Sequence, residues 1–172
     1  MILPRFRFQN VALRSGIYTL FIPTTLAQLV LPLLTNILSE GTKRQYITLV
    51  KINIWLNFGI STIIAVFIVL LGRFIMGLYG KDFMELYPLY LMMIASVFMS
   101  VCNVVGQVIA SNDKMWFGFI FNLLWALWIV VFTILFKNYG AIGLALSITC
   151  SYALHFVGQL IYLIIYLKKT ME

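Results

Sequence analysis

The chain has 172 residues, of which 63% are hydrophobic and only 10% charged, with a formal net charge of +7. A soluble domain carries roughly 25% charged residues, and a water-soluble chain of this length cannot hide so much apolar surface in one core, because the buried fraction is limited by size. The composition therefore excludes a soluble globular domain. The positive charge is not a nucleic-acid signature either, because the basic residues stand singly or in pairs at the edges of apolar runs, where they anchor helix ends at lipid headgroups.

Residues 1–14 are too polar to span a bilayer and form a polar N-terminal segment. The basic start at Arg5, Arg7 and Arg14 is not expected to be a cleaved signal peptide. Pro23 interrupts the apolar run that follows, and no small-residue cleavage site is placed after it. From residue 15 to 172 the sequence reads as one polytopic membrane domain. A bilayer core needs about 20 apolar residues per helix, and about five such runs occur, over residues 15–38, 52–71, 87–110, 116–136 and 141–167. The first is broken by Pro23 and Pro32, which free carbonyls and permit a bend or a hinge. A polar stretch from Ser39 to Gln45 follows and climbs amphipathically through Lys51. The second run ends at Arg73 and a turn-rich segment, Met76 to Phe83. The third carries Pro88 in its first turn, where a missing amide proton costs little. Ser111-Asn112-Asp113-Lys114 and Lys137-Asn138-Tyr139-Gly140 separate the last three runs, and Lys168-Lys169 stop the fifth. Long continuous runs argue against a barrel, whose strands are short and alternating. The fold class expected is all-α, an integral membrane bundle of about five helices.

Each run carries polar residues at helical spacing. Helix one has Thr25, Gln28, Pro32 and Thr35, and helix two has Asn53, Asn57 and Ser61. Helix three has Ser96, Ser100, Asn103 and Gln107. Helix four has Gly118, Asn122 and Trp125, and helix five has Ser147, Ser151, His155 and Gln159. Polar groups in hydrocarbon are costly and turn toward other helices or water. Two readings are open. The stripes are interhelical glue, or some of them line a shared water-accessible cavity of the kind that holds a transporter's substrate. The candidate cavity-lining set is Gln28, Asn57, Asn103, Gln107, Asn122, His155 and Gln159, and Lys51 and Arg73 approach it from the interfaces as anion contacts or snorkelling anchors.

Catalytic chemistry finds nothing to use. The acidic residues Glu40, Asp82, Glu85, Asp113 and Glu172 all lie in loops or the tail, and no nucleophile–base pair, phosphate-binding glycine loop or metal-ligand spacing is present. Cys102 and Cys150 sit in apolar stretches as packing residues. No enzyme activity, cofactor or metal is expected. Basic residues tie at six on each face (Arg5, Arg7, Arg14, Arg73, Lys81, Lys137 against Lys43, Arg44, Lys51, Lys114, Lys168, Lys169), so charge alone leaves the orientation open.

Four stretches in the right order resemble one family. Pro23 through Pro32-Leu33-Leu34-Thr35, followed by Glu40-Gly41-Thr42-Lys43, is similar to its proline-containing helix and basic cytoplasmic loop. Ile75 through Phe83 looks like its outer loop. Gln107, Ile109-Ala110-Ser111, Asn122 and Trp125 resemble its inner hairpin, and Tyr139-Gly140-Ala141-Ile142-Gly143-Leu144-Ala145 resembles the start of its last helix. Together they resemble the C-terminal part of bacterial polysaccharide flippases, the O-antigen and capsule-repeat transporters of the multidrug/oligosaccharidyl-lipid/polysaccharide exporter superfamily. The resemblance covers nearly the whole chain beyond residue 14. It implies two lobes of twelve or more helices, of which these five would be the last. The bacterial inner membrane would be the site, with the C-terminus in the cytoplasm. The substrate would be a lipid-linked oligosaccharide of the undecaprenyl-pyrophosphate type, moved by alternating access, with membrane lipid and an N-terminal lobe or partner chain as further partners. A multidrug or organic-cation antiporter of the same superfamily and a non-transporting membrane scaffold are the alternatives. The antiporter class usually carries a buried carboxylate, and these helices have none.

Overall fold

In a computed structural model the protein is all-α, and the structure describes residues 25, 29–78 and 85–171. Pro23, Gln28 and the segment 79–84 lie outside the described residues. Among the described residues the helices are α1 (Leu29–Glu40), α2 (Lys43–Leu70), α3 (Gly72–Leu78), α4 (Tyr87–Ser111), α5 (Met115–Phe136) and α6 (Gly140–Met171). Three stretches are long and apolar enough to cross a membrane: Lys43–Leu70, Tyr87–Ser111 and the continuous helical run Met115–Lys169. The last spans 55 residues but folds back on itself, because the 3-10 turn Lys137–Tyr139 separates α5 from α6.

The second apolar run extends further toward the N-terminus than its hydropathy suggests. The helix starts at Lys43, nine residues before Ile52, because Thr42 and Gln45 form a capping box. The Gln45 amide donates to Thr42 Oγ1 (3.3 Å) and the Thr42 amide donates to Gln45 Oε1 (2.9 Å). Tyr46, Ile47 and Val50 bury the inner face of this added stretch while Lys43, Arg44 and Lys51 stay exposed. Pro88 lies in the first turn of α4.

The order of packing follows from burial. Helix α4 buries 14 of its 25 residues and sits at the centre, against α2 on one side and α6 on the other. Tyr46 meets Ser111 and Ser61 meets Ser100, so α2 and α4 run antiparallel. Thr149 Oγ1 donates to the Leu91 carbonyl and Tyr166 donates to Asn112, so α6 runs parallel to α4. Helix α5 returns antiparallel along α6, with Phe117 against Tyr162 and Trp125 against Tyr152. The reversal needs glycine twice. Gly140 has φ +60°, where a side chain is strained, and a Cβ at Gly143 would run into the Phe136 carbonyl.

Two apolar clusters lie at the two ends of the bundle. One joins Ala65, Met76, Leu89, Met92, Met93 and Ala145. The other joins Leu34 of α1 to Tyr46, Val50, Val105, Val108, Ile109 and Leu163. Helix α5 has no buried residue at all. It leans on α6 and meets α4 only lightly, which leaves a gap on the inner side of the hairpin.

Candidate functional site: a polar cavity between α4, α5 and α6

The polar stripes divide between two settings. Asn53, Asn57 and Ser61 of α2 are 3%, 0% and 0% exposed and press against α4. The hydroxyls of Ser61 and Ser100 are 2.7 Å apart, and Ser100 Oγ reaches the Asn57 carbonyl at 3.4 Å. Asn57 donates to the Asn53 carbonyl (2.9 Å) and to its Oδ1 (2.6 Å). Small hydroxyls let the two backbones approach, and Asn57 Nδ2 closes on its own helix while Asn53 Nδ2 and Asn57 Oδ1 are left without a protein partner. This seam is interhelical glue of the sort expected between apolar helices, and Asn57 belongs to it.

The α6 stripe begins the same way. Ser147 donates to the Gly143 carbonyl and Ser151 to the Ser147 carbonyl, each at 2.7 Å and each one turn back along the helix. One turn further on the pattern changes. His155 and Gln159 join Nε2 to Nε2 at 2.9 Å, and both line a cavity of about 230 Å³. Asn103 of α4 and Asn122 of α5 face the same space. So do Trp125 and Tyr152, whose rings lie 5.2 Å apart and make an aromatic wall. Phe121 and Tyr152 meet the imidazole edge-on at 6.2 and 6.4 Å and fix its plane.

Why a cavity persists here follows from residue size and helix placement. Gly106 on α4 and Gly118 on α5 contribute no side chain to the space between them. A Cβ at Gly106 would meet nothing within 4 Å. The walls also keep unmet hydrogen-bonding capacity. Gln159 is 5% exposed, yet its Oε1 has no partner, and neither does the Trp125 indole N–H. Both residues belong to the walls of the same small volume. Unmet atoms also occur on the α2–α4 seam, at Asn53 Nδ2 and Asn57 Oδ1, so it is the void and its polar, aromatic lining that set this region apart.

The remaining predicted residues fall elsewhere. Gln107, one turn past Asn103, is half-buried with an unpartnered Oε1 and does not border the cavity. Lys51 and Arg73 are exposed, on α2 and α3, and do not border it either. Pro32 is an exposed residue of α1, and Pro23 and Gln28 lie outside the described residues. Sequence spacing passed over Met99, Gly106, Ile109 and Tyr152, which complete the walls. Tyr152, three residues before His155 on the α6 stripe, carried a signal that a search for amides and hydroxyls misses.

Chemically the cavity is neutral. Its lining holds amides, an imidazole, a phenol, an indole, a thioether and the Cys102 thiol, and no Asp, Glu, Lys or Arg. No nucleophile is joined to a base there. Among the described residues no group of three or more His, Cys, Asp or Glu is placed to hold a metal ion. Such a lining suits hydrogen bonding and ring stacking to an uncharged, hydroxyl-rich group. No family model, curated protein or solved structure matches the chain.

Proposed function

We infer that the chain is a multi-pass protein of a bacterial plasma membrane and forms the C-terminal part of a lipid-linked oligosaccharide flippase. The observation that carries this reading is the cavity between α4, α5 and α6. It lies among helices apolar enough to span a bilayer, and amides, an imidazole and aromatic rings line it with no charged group. Sugar units would pass along this neutral, aromatic-walled space while the lipid tail stays in the bilayer. Alternating access works by rocking two lobes about a site between them. The reading therefore includes a second lobe, in the same polypeptide or in a partner chain, closing over the α5 side of the cavity.

The orientation in this reading comes from the family resemblance, since charge over the whole sequence is balanced. Lys43, Arg44, Lys51, Lys114, Lys168 and Lys169 stand at one end of the described bundle, and Arg73 and Lys137 at the other. Arg5, Arg7, Arg14 and Lys81 bring the count over the whole sequence to six on each side, so charge does not choose between the two orientations. The family resemblance puts the end with Lys114, Lys168 and Lys169 in the cytoplasm, and the C-terminus is cytoplasmic in this reading.

The test is complementation in the source organism with the chromosomal copy deleted. Asn122→Leu and Gln159→Leu should reach the membrane at wild-type levels and leave the surface glycan depleted. Full surface glycan in both variants would remove the cavity from the transport path.

A further inference from the structure

At the basic end of the bundle a second feature stands apart from the cavity. Asn112 at the end of α4 donates to the Tyr46 hydroxyl (2.8 Å) and accepts from the Tyr166 hydroxyl (2.6 Å). Tyr46 also pairs with Ser111 Oγ at 3.0 Å. This network ties α2, α4 and α6 together at one level. Tyr166 stacks on Tyr162 and meets Tyr46 edge-on, so its ring is held on two sides. Lys114, in the turn between α4 and α5, sits with Nζ 5.2 Å from the centre of that ring. Lys168 and Lys169 follow Tyr166 within one turn of α6, and all three lysines are exposed. On either side of this corner, α5 shows Trp116 and Phe117 to the outside, 77% and 49% exposed.

A held tyrosine, three lysines and flanking exposed aromatics make up the chemistry of a membrane interface: rings at headgroup level and cations reaching phosphodiesters. We propose that Lys114, held over the fixed Tyr166 ring, and Lys168 and Lys169, in the next turn of α6, form a binding corner for the headgroup of an anionic bilayer phospholipid such as phosphatidylglycerol. Charge complementarity selects this occupant. Among the described residues this end carries six exposed cations against Glu40 and Asp113, and the apolar flank of α5 beside it suits acyl chains. Lys114 is poised by a ring contact on a hydrogen-bonded framework, so the corner is preformed. It is distinct from the neutral cavity, which holds no cation. The inference rests on the membrane residence proposed above and not on any transport role.

The experiment uses the whole protein reconstituted into phosphatidylcholine vesicles. Energy transfer is measured from the protein's tryptophans, Trp116 among them at this corner, to a dansyl-labelled lipid. Dansyl-phosphatidylglycerol should give the same transfer as a neutral dansyl lipid at about fivefold lower bulk fraction, the factor that one interfacial lysine supplies. The preference should vanish in K114Q/K168Q/K169Q and persist in K114R/K168R/K169R and in R73Q/K137Q at the opposite end. Equal transfer from both lipids in the wild type, or an undiminished preference in the triple glutamine variant, overturns the proposal. An equal loss in R73Q/K137Q also overturns it, because net charge would then explain the effect. Failure of the wild-type protein to enter vesicles at all would instead remove the membrane reading itself.

Discussion

Gln159→Leu separates a ligand-facing amide from a packing amide, because only the loss of a packing amide should cost much stability. In the wild type the side chain makes one contact worth counting, from Nε2 to His155 Nε2 at 2.9 Å. Losing this contact, made within α6, should cost no more than about 0.6 kcal/mol, the average for side-chain hydrogen bonds between helices in a membrane. Against that, leucine removes an Oε1 that has no protein partner, and because water in the cavity satisfies a ligand-facing acceptor, its removal returns little of the roughly 1–3 kcal/mol that a dry unmet atom costs. Leucine is close to glutamine in size, so no new void or overlap adds a further term. The variant should therefore stay within about 1 kcal/mol of the wild type, while surface glycan is lost. Reversible unfolding in mixed micelles, followed by tryptophan fluorescence, reads the first quantity, and complementation reads the second. A destabilisation beyond about 1 kcal/mol would refute the reasoning, since the amide would then be holding helices together.

Further outcomes follow from local geometry. Asn112→Ala removes the Tyr46 and Tyr166 contacts together and should cost about 1–3 kcal/mol; a double-mutant cycle with Tyr46→Phe should show coupling of at least about 0.5 kcal/mol, and strict additivity would dissolve the network. Gly143→Ala drives a methyl group into the Phe136 carbonyl and should destabilise by about 1–3 kcal/mol, read as a fall in thermal midpoint; an unchanged midpoint would mean that the α5–α6 turn yields without cost. Thr42→Ala breaks the capping box at the start of α2 and should cost about 1 kcal/mol, with faster amide exchange confined to residues 43–46.

Much of the architecture was legible because hydrophobic run length in this composition admits little besides helix. The α4 boundaries and the position of Pro88 came directly from apolar length and from proline's tolerance at a first turn. The start of α2 did not, since Lys43-Arg44-Gln45 reads as loop on hydropathy, and only the Thr42–Gln45 capping pair marks it as helix. The site was legible in part. Spacing placed His155, Gln159, Asn122 and Asn103 on inward faces, and they meet around one cavity. The same spacing ranked Asn57 with them, although it closes on Asn53 and packs beside Ser100. Periodicity says which face a residue occupies; which neighbour stands opposite depends on register between helices, and an apolar sequence leaves that register unstated. Gly106 and Gly118 make the point from the other direction, since the cavity depends on what they lack.

The central claim is that polar solute reaches the space between α4, α5 and α6 while the outer face of α5 meets lipid. Cysteine accessibility in intact membranes tests it most directly. In a background with Cys102 and Cys150 replaced by alanine, Asn122→Cys is compared with Leu123→Cys, its neighbour on the apolar side of the same helix. Asn122→Cys should react readily with a small, charged, membrane-impermeant thiol reagent, and Leu123→Cys should stay unmodified until detergent is added, since only a thiol that meets water ionises to the reactive thiolate. If Asn122→Cys is as inert as Leu123→Cys, the cavity is closed to water and the account of this protein as a transport lobe fails.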